Sequence, residues 1–262
     1  VAQLAGEVQL ESKVLSIEEL RIMEPGVSDD VIGATYYSCD SHTTPHEFMN
    51  NMKTYLLARG VEIKANQKLL DLQIKDREIR KVITNKGDFI ADEYILAAGS
   101  WTGLIAKKLG MKLLLQAGKG YRINVKQETK ISLPAILAEA KAAVTPMNGF
   151  TRFAGTMEIG GINNAIDPIR VKAIAKAAKD YYKGVSITKN EIEDASSGLR
   201  PLSPDGIPYI GRTNKCFNLT IATGHAMMGW TMATGTGKLV SEIISENKAS
   251  LDLEPFSPDR TF

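Results

Sequence analysis

Apolar positions recur along this chain with two periods, and the points where one period gives way to the other divide it. In TTPHEFMNNMKTYLLARG, Phe48, Met52, Tyr55 and Leu56 fall on one face of a helix. Thr44 is its predicted N-cap, Pro45 its first helical position and Glu47 the partner in a capping box, while Gly60 supplies a left-handed stop. VEIKA is expected to follow as a strand. Three or four short strands are then expected over LLDLQIKDREIRKVITNKGDFIADEYILAAGS, turning at residues 75–77 and 85–88. The last of them, DEYILAAG, is almost continuously apolar, which predicts a central strand of a parallel sheet. A short helix, TGLIAKKLG, comes next.

From about Met111 to Ser197 the texture is antiparallel: GYRINV, PAILAEA, AVTPM, FTRFAG and TMEIGG alternate and turn. One helix interrupts them, DPIRVKAIAKAAKDYYKG, with Asp167 as cap and Pro168 behind it. After Ser196 the first texture returns. FNLTIATG is another apolar strand, running through a glycine-flanked loop into the helix GWTMATGTGKLVSEIISENK. The fold class is therefore α/β (α+β), an α/β domain interleaved with an antiparallel-sheet domain. Its expected segments are 1–44 (substrate-domain or linker portion), 45–110 (α/β domain), 111–195 (antiparallel domain) and 196–262 (return to the α/β domain with its C-terminal helix).

Composition narrows the function classes. The chain has 262 residues, 44% of them hydrophobic and 24% charged, so it can bury a core and is not disordered. A net charge of +2, without a dense basic block, argues against a nucleic-acid partner. No apolar run approaches the roughly 18 to 20 residues of a membrane span. Cys39 and Cys216 match no metal spacing and read as two reduced thiols. The opening VAQLAGEVQLESKVLSIEEL already has the look of a domain interior.

Candidate chemistry gathers late in the chain. The stretch Gly235-Thr236-Gly237-Lys238 is not a phosphate loop, because Met232 replaces the first glycine and Leu239 the magnesium-holding hydroxyl. In TGHAMMGW a strand ends at Thr223 and a helix begins near Gly229, so exposed amides at a helix start can face a phosphate or the electron-rich edge of a ring. An ordinary strand-to-helix turn explains the same stretch equally well. In GLRPLSPDGIPYIGR, Arg200 is held extended by Pro201 and can grip a carboxylate through two parallel hydrogen bonds. His225 admits three roles, general base, metal ligand or packed histidine; neither His42 nor His46 completes a ligand set with it, and no metal is expected. Lys119 and Tyr121, at the entrance to the antiparallel segment, read either as the border of a pocket or as turn residues.

The pieces EYILAAGSWT, KGYRINV, FTRFAGTMEIGG, GLRPLSPDGIPYIGR and TGHAMMGWTMATGTGK, in this order, resemble the FAD-dependent D-amino-acid oxidase superfamily. The pattern is nearest to bacterial D-amino-acid dehydrogenases, with glycine oxidase a more distant relative. The resemblance implies an FAD-binding α/β domain and an amino-acid or amine substrate whose carboxylate Arg200 receives, with Tyr121 and Lys119 as further catalytic candidates. It implies that Leu69 lies near the adenine-ribose and that Ala98, Gly99 and Trp101 line the dinucleotide. Gly224, His225, Met228, Gly229, Trp230 and Thr231 would wrap the flavin ring. Met227 departs from glycine oxidase, which has a second arginine there, and this favours the dehydrogenase branch. The implied reaction moves the α-hydrogen, as hydride, from a neutral amine to the flavin, so no acid–base dyad is required. Oxygen or a quinone-linked carrier reoxidises the flavin, and a cytoplasmic place, including one peripheral to the inner membrane, is implied; a homo-oligomer is left open. Such enzymes begin with a glycine-rich Rossmann turn, which these 262 residues lack. The chain is thus expected to be the C-terminal part of a longer flavoenzyme, inactive alone and with FAD absent or weakly held. Two alternatives stand beside it: a glycine- or sarcosine-type amine oxidase releasing peroxide, and a non-catalytic remnant or binding module.

Overall fold

The computed structural model describes residues 2–262. Its first elements are α1 (Ala2–Glu7), β1 (Lys13–Ser16), α2 (Ile17–Met23), β2 (Gly33–Tyr36) and α3 (Pro45–Ala58). There follow β3 (Leu69–Lys75), β4 (Glu78–Thr84), β5 (Gly87–Phe89), β6 (Tyr94–Leu96), a single 3-10 turn (Gly99–Trp101) and α4 (Thr102–Lys108). The middle of the chain forms β7 (Gln116–Val125), β8 (Ala135–Leu137), β9 (Ala142–Met147), β10 (Phe150–Ile159), α5 (Pro168–Tyr181) and α6 (Lys189–Glu193). The last part forms β11 (Ser196–Leu202), β12 (Tyr209–Thr213), β13 (Cys216–Thr223) and α7 (Gly229–Ile244). Two compact units share these elements. Unit 1 comprises Val1–Glu62, Gly120–Met157 and Ala165–Ser197; unit 2 comprises Ile63–Lys119, Glu158–Asn164 and Gly198–Phe262. Among the described residues no helix is long and apolar enough to cross a membrane.

Unit 1 holds β8, β9, most of β10 and the second half of β7 from a sheet of order β11-β7-β10-β9-β8, in which β10 pairs β9 and β9 pairs β8 antiparallel. Alternation sorts its faces: Tyr121, Ile123 and Val125 of β7 and Thr151 and Phe153 of β10 are buried, while the residues between them are not. The buried face meets α5, whose Val171, Ile174, Ala177 and Ala178 share one helical side, in a single apolar cluster. Asp167 caps α5 by accepting the Ile169 amide at 2.8 Å, as its sequence predicts. FTRFAG and TMEIGG, expected as two strands, are the single strand β10, kinked where Thr156 takes φ 54° and gives its amide to Lys141.

Helix α3 forms where its pattern predicts, but without the capping box. The Thr44 hydroxyl accepts from the Asn148 amide and Glu47 Oε1 accepts from Asn148 Nδ2, so a residue a hundred positions away takes both capping groups. At the other end Gly60 takes φ 81°, its amide bonding Leu57 and that of Val61 bonding Leu56. This closure uses the start of VEIKA, which is irregular rather than the expected strand. The helix also lies in unit 1, and segment 158–164 in unit 2, a different partition from the expected segments.

Unit 2 holds a sheet of order β3-β4-β5 and a second of order β12-β13-β6. β6 runs parallel to β13, with Leu219, Thr220 and Ile221 opposite Tyr94, Ile95 and Leu96. The parallel partner was expected; the central position was not met, because among the described residues β6 is an edge strand with Ile95 52% exposed.

Candidate functional site

Parallel pairing puts the C-terminal ends of β6 and β13 at the same edge of their sheet, where open α/β sheets characteristically take ligands. The chain leaves β6 through Ala98 into the Gly99–Trp101 turn and leaves β13 into the loop at Gly224. Thr223 Oγ1 donates to the Gly99 carbonyl at 3.1 Å, which joins the two exits. Gly224 has φ 84°, and a Cβ there would lie 3.1 Å from Tyr209 Cδ2, so both backbone and space require glycine. The loop then turns, Met228 N donating to His225 O at 2.9 Å, and α7 begins at Gly229 with no side-chain cap on its first amides. Met228, Trp230 and Thr231 are exposed around that start.

Arg200 is brought to the same loop by its backbone. Ala226 N donates to the carbonyl of Pro201 at 2.9 Å, and Leu202 pairs with His225 in an isolated bridge. Arg200 is half-buried and pairs with no carboxylate among the described residues; burial lowers its guanidinium from the ordinary arginine value. His225 lies 2.8 Å, Nε2 to Oγ1, from Thr236 on α7, and burial lowers its pKa, which favours the neutral ring. It therefore braces the loop against the helix.

The other candidates are more scattered. Leu69 opens β3, opposite Thr84 in the other sheet of unit 2. Lys119 is buried, donating to Asn163 Oδ1 at 2.8 Å with Glu158 at 3.6 Å. Tyr121 belongs to unit 1, within its apolar cluster at 1% exposure. Ordinary turn residues are thus excluded as a description of either side chain. Two hollows of about 430 and 330 Å³ open along residues 111–115 and are lined by none of the candidates.

Sequence reasoning missed the supports. Ser203 Oγ donates to the Gly224 carbonyl at 3.4 Å, and Tyr209, which lies beneath Gly224, donates its hydroxyl to Leu114 O at 3.1 Å. Arg260 in turn grips Asp205 through Nε and Nη2 at 3.2 and 3.1 Å and stands 3.9 Å over the Tyr209 ring. The run of Pro204, Asp205 and Gly206 signalled a turn; nothing local signalled its distant partner.

Comparison with known proteins decides the family. The profile of the DAO family, described as FAD dependent oxidoreductase, matches residues 1–243. The chain belongs to this family. Curated relatives include a D-amino acid dehydrogenase of Rhizobium rhizogenes, 30% identical over 244 residues, 91% of this chain and 58% of that protein. One from Vibrio vulnificus is 33% identical over 250 residues, 91% of this chain and 59% of the relative. The chain therefore spans about three fifths of the length of the relatives it matches. Its fold is that of glycine oxidase from Geobacillus kaustophilus, with a TM-score of 0.87 at 20% identity over 99% of this chain and 70% of that one. L-proline dehydrogenase from P. horikoshii follows, with a TM-score of 0.85 at 21% identity over 98% of this chain and 70% of that one.

Proposed function

We propose that the whole protein is an FAD-dependent oxidoreductase of the D-amino-acid dehydrogenase type, oxidising the amine of a small amino acid to an imino acid. The observation that carries this reading is Arg200: a half-buried guanidinium without an acidic partner among the described residues, on a strand bonded to the loop that opens α7. Buried charge ordinarily has a partner, and a guanidinium fork suits a carboxylate.

The residues at the strand exits fit a flavin. The α7 amides carry no side-chain cap, and Gly224 lets the loop before them lie close on Tyr209. Ser100 Oγ and Thr102 Oγ1, in and just after the turn that follows β6, are buried without a hydrogen-bond partner. Gly224, His225, Met228, Gly229, Trp230 and Thr231 would hold the ring, and Ala98, Gly99, Trp101 and Leu69 the rest of the dinucleotide. A bound flavin supplies the two-electron acceptor. Arg200 binds and orients the carboxylate so that the α-carbon meets the ring in one pose, while neutral His225 keeps the loop in register. Lys119 positions segment 158–164, and Tyr121 acts by packing from β7 into the apolar cluster of unit 1. A quinone-linked carrier as acceptor puts the protein against the inner membrane; peroxide release would identify the oxidase alternative instead.

Arg200→Lys in the whole protein tests this reading. Loss of a bidentate charged contact costs about 2 to 5 kcal/mol when the partner is desolvated, so KM for the amino acid rises at least tenfold with flavin content intact. An unchanged KM removes Arg200 from the substrate site.

A further inference from the structure

We propose that Arg260, in the C-terminal tail, is a positioning residue: it fixes the end of β11, and Arg200 with it, against the loop that opens α7, and so sets the pose in which a carboxylate held by Arg200 meets the flavin. The inference rests on the substrate and cofactor reading above and adds a residue to it. All of its parts lie in unit 2.

The loop is held from two sides. Along one, the end of β11 supplies the Pro201 carbonyl to the Ala226 amide at 2.9 Å, a bridge from Leu202 to His225, and the Ser203 hydroxyl to the Gly224 carbonyl at 3.4 Å. Along the other, the start of β12 sets Tyr209 opposite Thr223 with its ring beneath Gly224, so close that a Cβ there would stand 3.1 Å from Tyr209 Cδ2. The loop needs this support. Ala226 takes φ 48°, a left-handed conformation that a residue with a Cβ keeps only where its surroundings impose it.

Both supports issue from one turn, residues 203–208, and Arg260 closes that turn. Its Nε and Nη2 hold the two oxygens of Asp205 at 3.2 and 3.1 Å, while Nη2 also reaches Ile207 O at 2.6 Å and Nη1 reaches Pro208 O at 3.2 Å. The same guanidinium lies 3.9 Å from the centroid of the Tyr209 ring, whose hydroxyl is tied to Leu114 O at 3.1 Å. One planar cation thus fixes both the turn that leaves β11 and the ring on which the loop rests. Without it the two supports are joined through a short turn at Gly206, the residue type with the most backbone freedom.

An orienting role separates from a merely stabilising one in the rate per flavin. In the whole protein, Arg260→Lys should lower kcat per bound FAD about tenfold and leave KM for the amino acid within about threefold of wild type. Arg200 still binds the carboxylate, but the α-carbon meets the ring in more poses. Asp205→Asn, which keeps every backbone contact of Arg260, should lower kcat per bound FAD by a smaller factor. In the 262-residue chain, without cofactor, both variants should speed hydrogen exchange at the Ala226 amide, Arg260→Lys by about tenfold. An unchanged kcat per bound FAD in both variants, a rise in KM at constant kcat, or an Ala226 amide that exchanges as in wild type would each overturn the proposal. The substrate reading fails separately, through an unchanged KM in Arg200→Lys, and Ala226 exchange then still decides whether Arg260 holds the loop.

Discussion

His225 shows how one buried side chain translates into a measurable property. Burial lowers its pKa, so the unfolded chain binds the proton more readily than the folded one. Its contribution to stability is complete above the ordinary histidine value of about 6.5 and is lost as pH falls from there towards the lower folded value. His225→Gln keeps a hydrogen-bonding group opposite Thr236 and removes the titration. Tm measured between about pH 5 and 8 should fall on the acid side more steeply in the wild type than in the variant, and parallel profiles would assign the slope to other groups. The surroundings of this residue were not legible in the sequence, because its partner Thr236 lies eleven positions away on a helix whose phase against the loop only the fold sets. Gly60 and Asp167 were legible, because a left-handed backbone or an N-cap is a local demand. Glu47 misled for the opposite reason: its local partner lost to Asn148.

At the level of elements, the C-terminal tail fastens the turn between β11 and β12. Arg260 donates Nε and Nη2 to Asp205, Nη2 also to Ile207 O, and Nη1 to the carbonyls of Pro208 and Ser257. Every N–H of the guanidinium is thereby used, in a planar pattern that an ammonium cannot copy. Arg260→Lys should cost about 1 to 3 kcal/mol, the range for buried groups left unpaired. The urea midpoint should move down at unchanged m-value, and a midpoint within error of wild type would show that the tail is only draped on the turn. Periodicity located the helices and most strands here, since burial on one side of an element writes itself into the pattern. It did not show that β6 has a single strand neighbour among the described residues, because an apolar run is common to central strands and to strands with one neighbour. Nor did it show β10 as one strand, since the Gly155-Thr156 kink has the composition of a turn.

For the whole chain, interleaving was legible in the change of texture and its return, and each compact unit is indeed assembled from three separate segments. The unit bounds were less legible, because a strand such as β7 runs from one unit into the other with no loop at the boundary. The same partition bears on cofactor binding. Every proposed flavin contact belongs to unit 2, and the proposed ring site offers an uncapped helix start. Charge interaction at a helix terminus contributes about 0.3 to 2 kcal/mol. Micromolar affinity requires about 8 kcal/mol, and dinucleotide sites of this architecture draw much of it from a glycine-rich turn on the pyrophosphate. None of the 262 residues forms a G-x-G-x-x-G sequence, and the chain spans only 58 to 59% of the two dehydrogenases compared. The purified 262-residue chain is therefore expected to be colourless, or to lose its flavin on gel filtration, although its two units fold. Absorbance of the protein peak against released FAD measures this directly. A yellow peak with one tightly held FAD per chain would mean that unit 2 grips the cofactor without a glycine-rich turn, and that the ring-end contacts are far stronger than helix-terminus electrostatics allow.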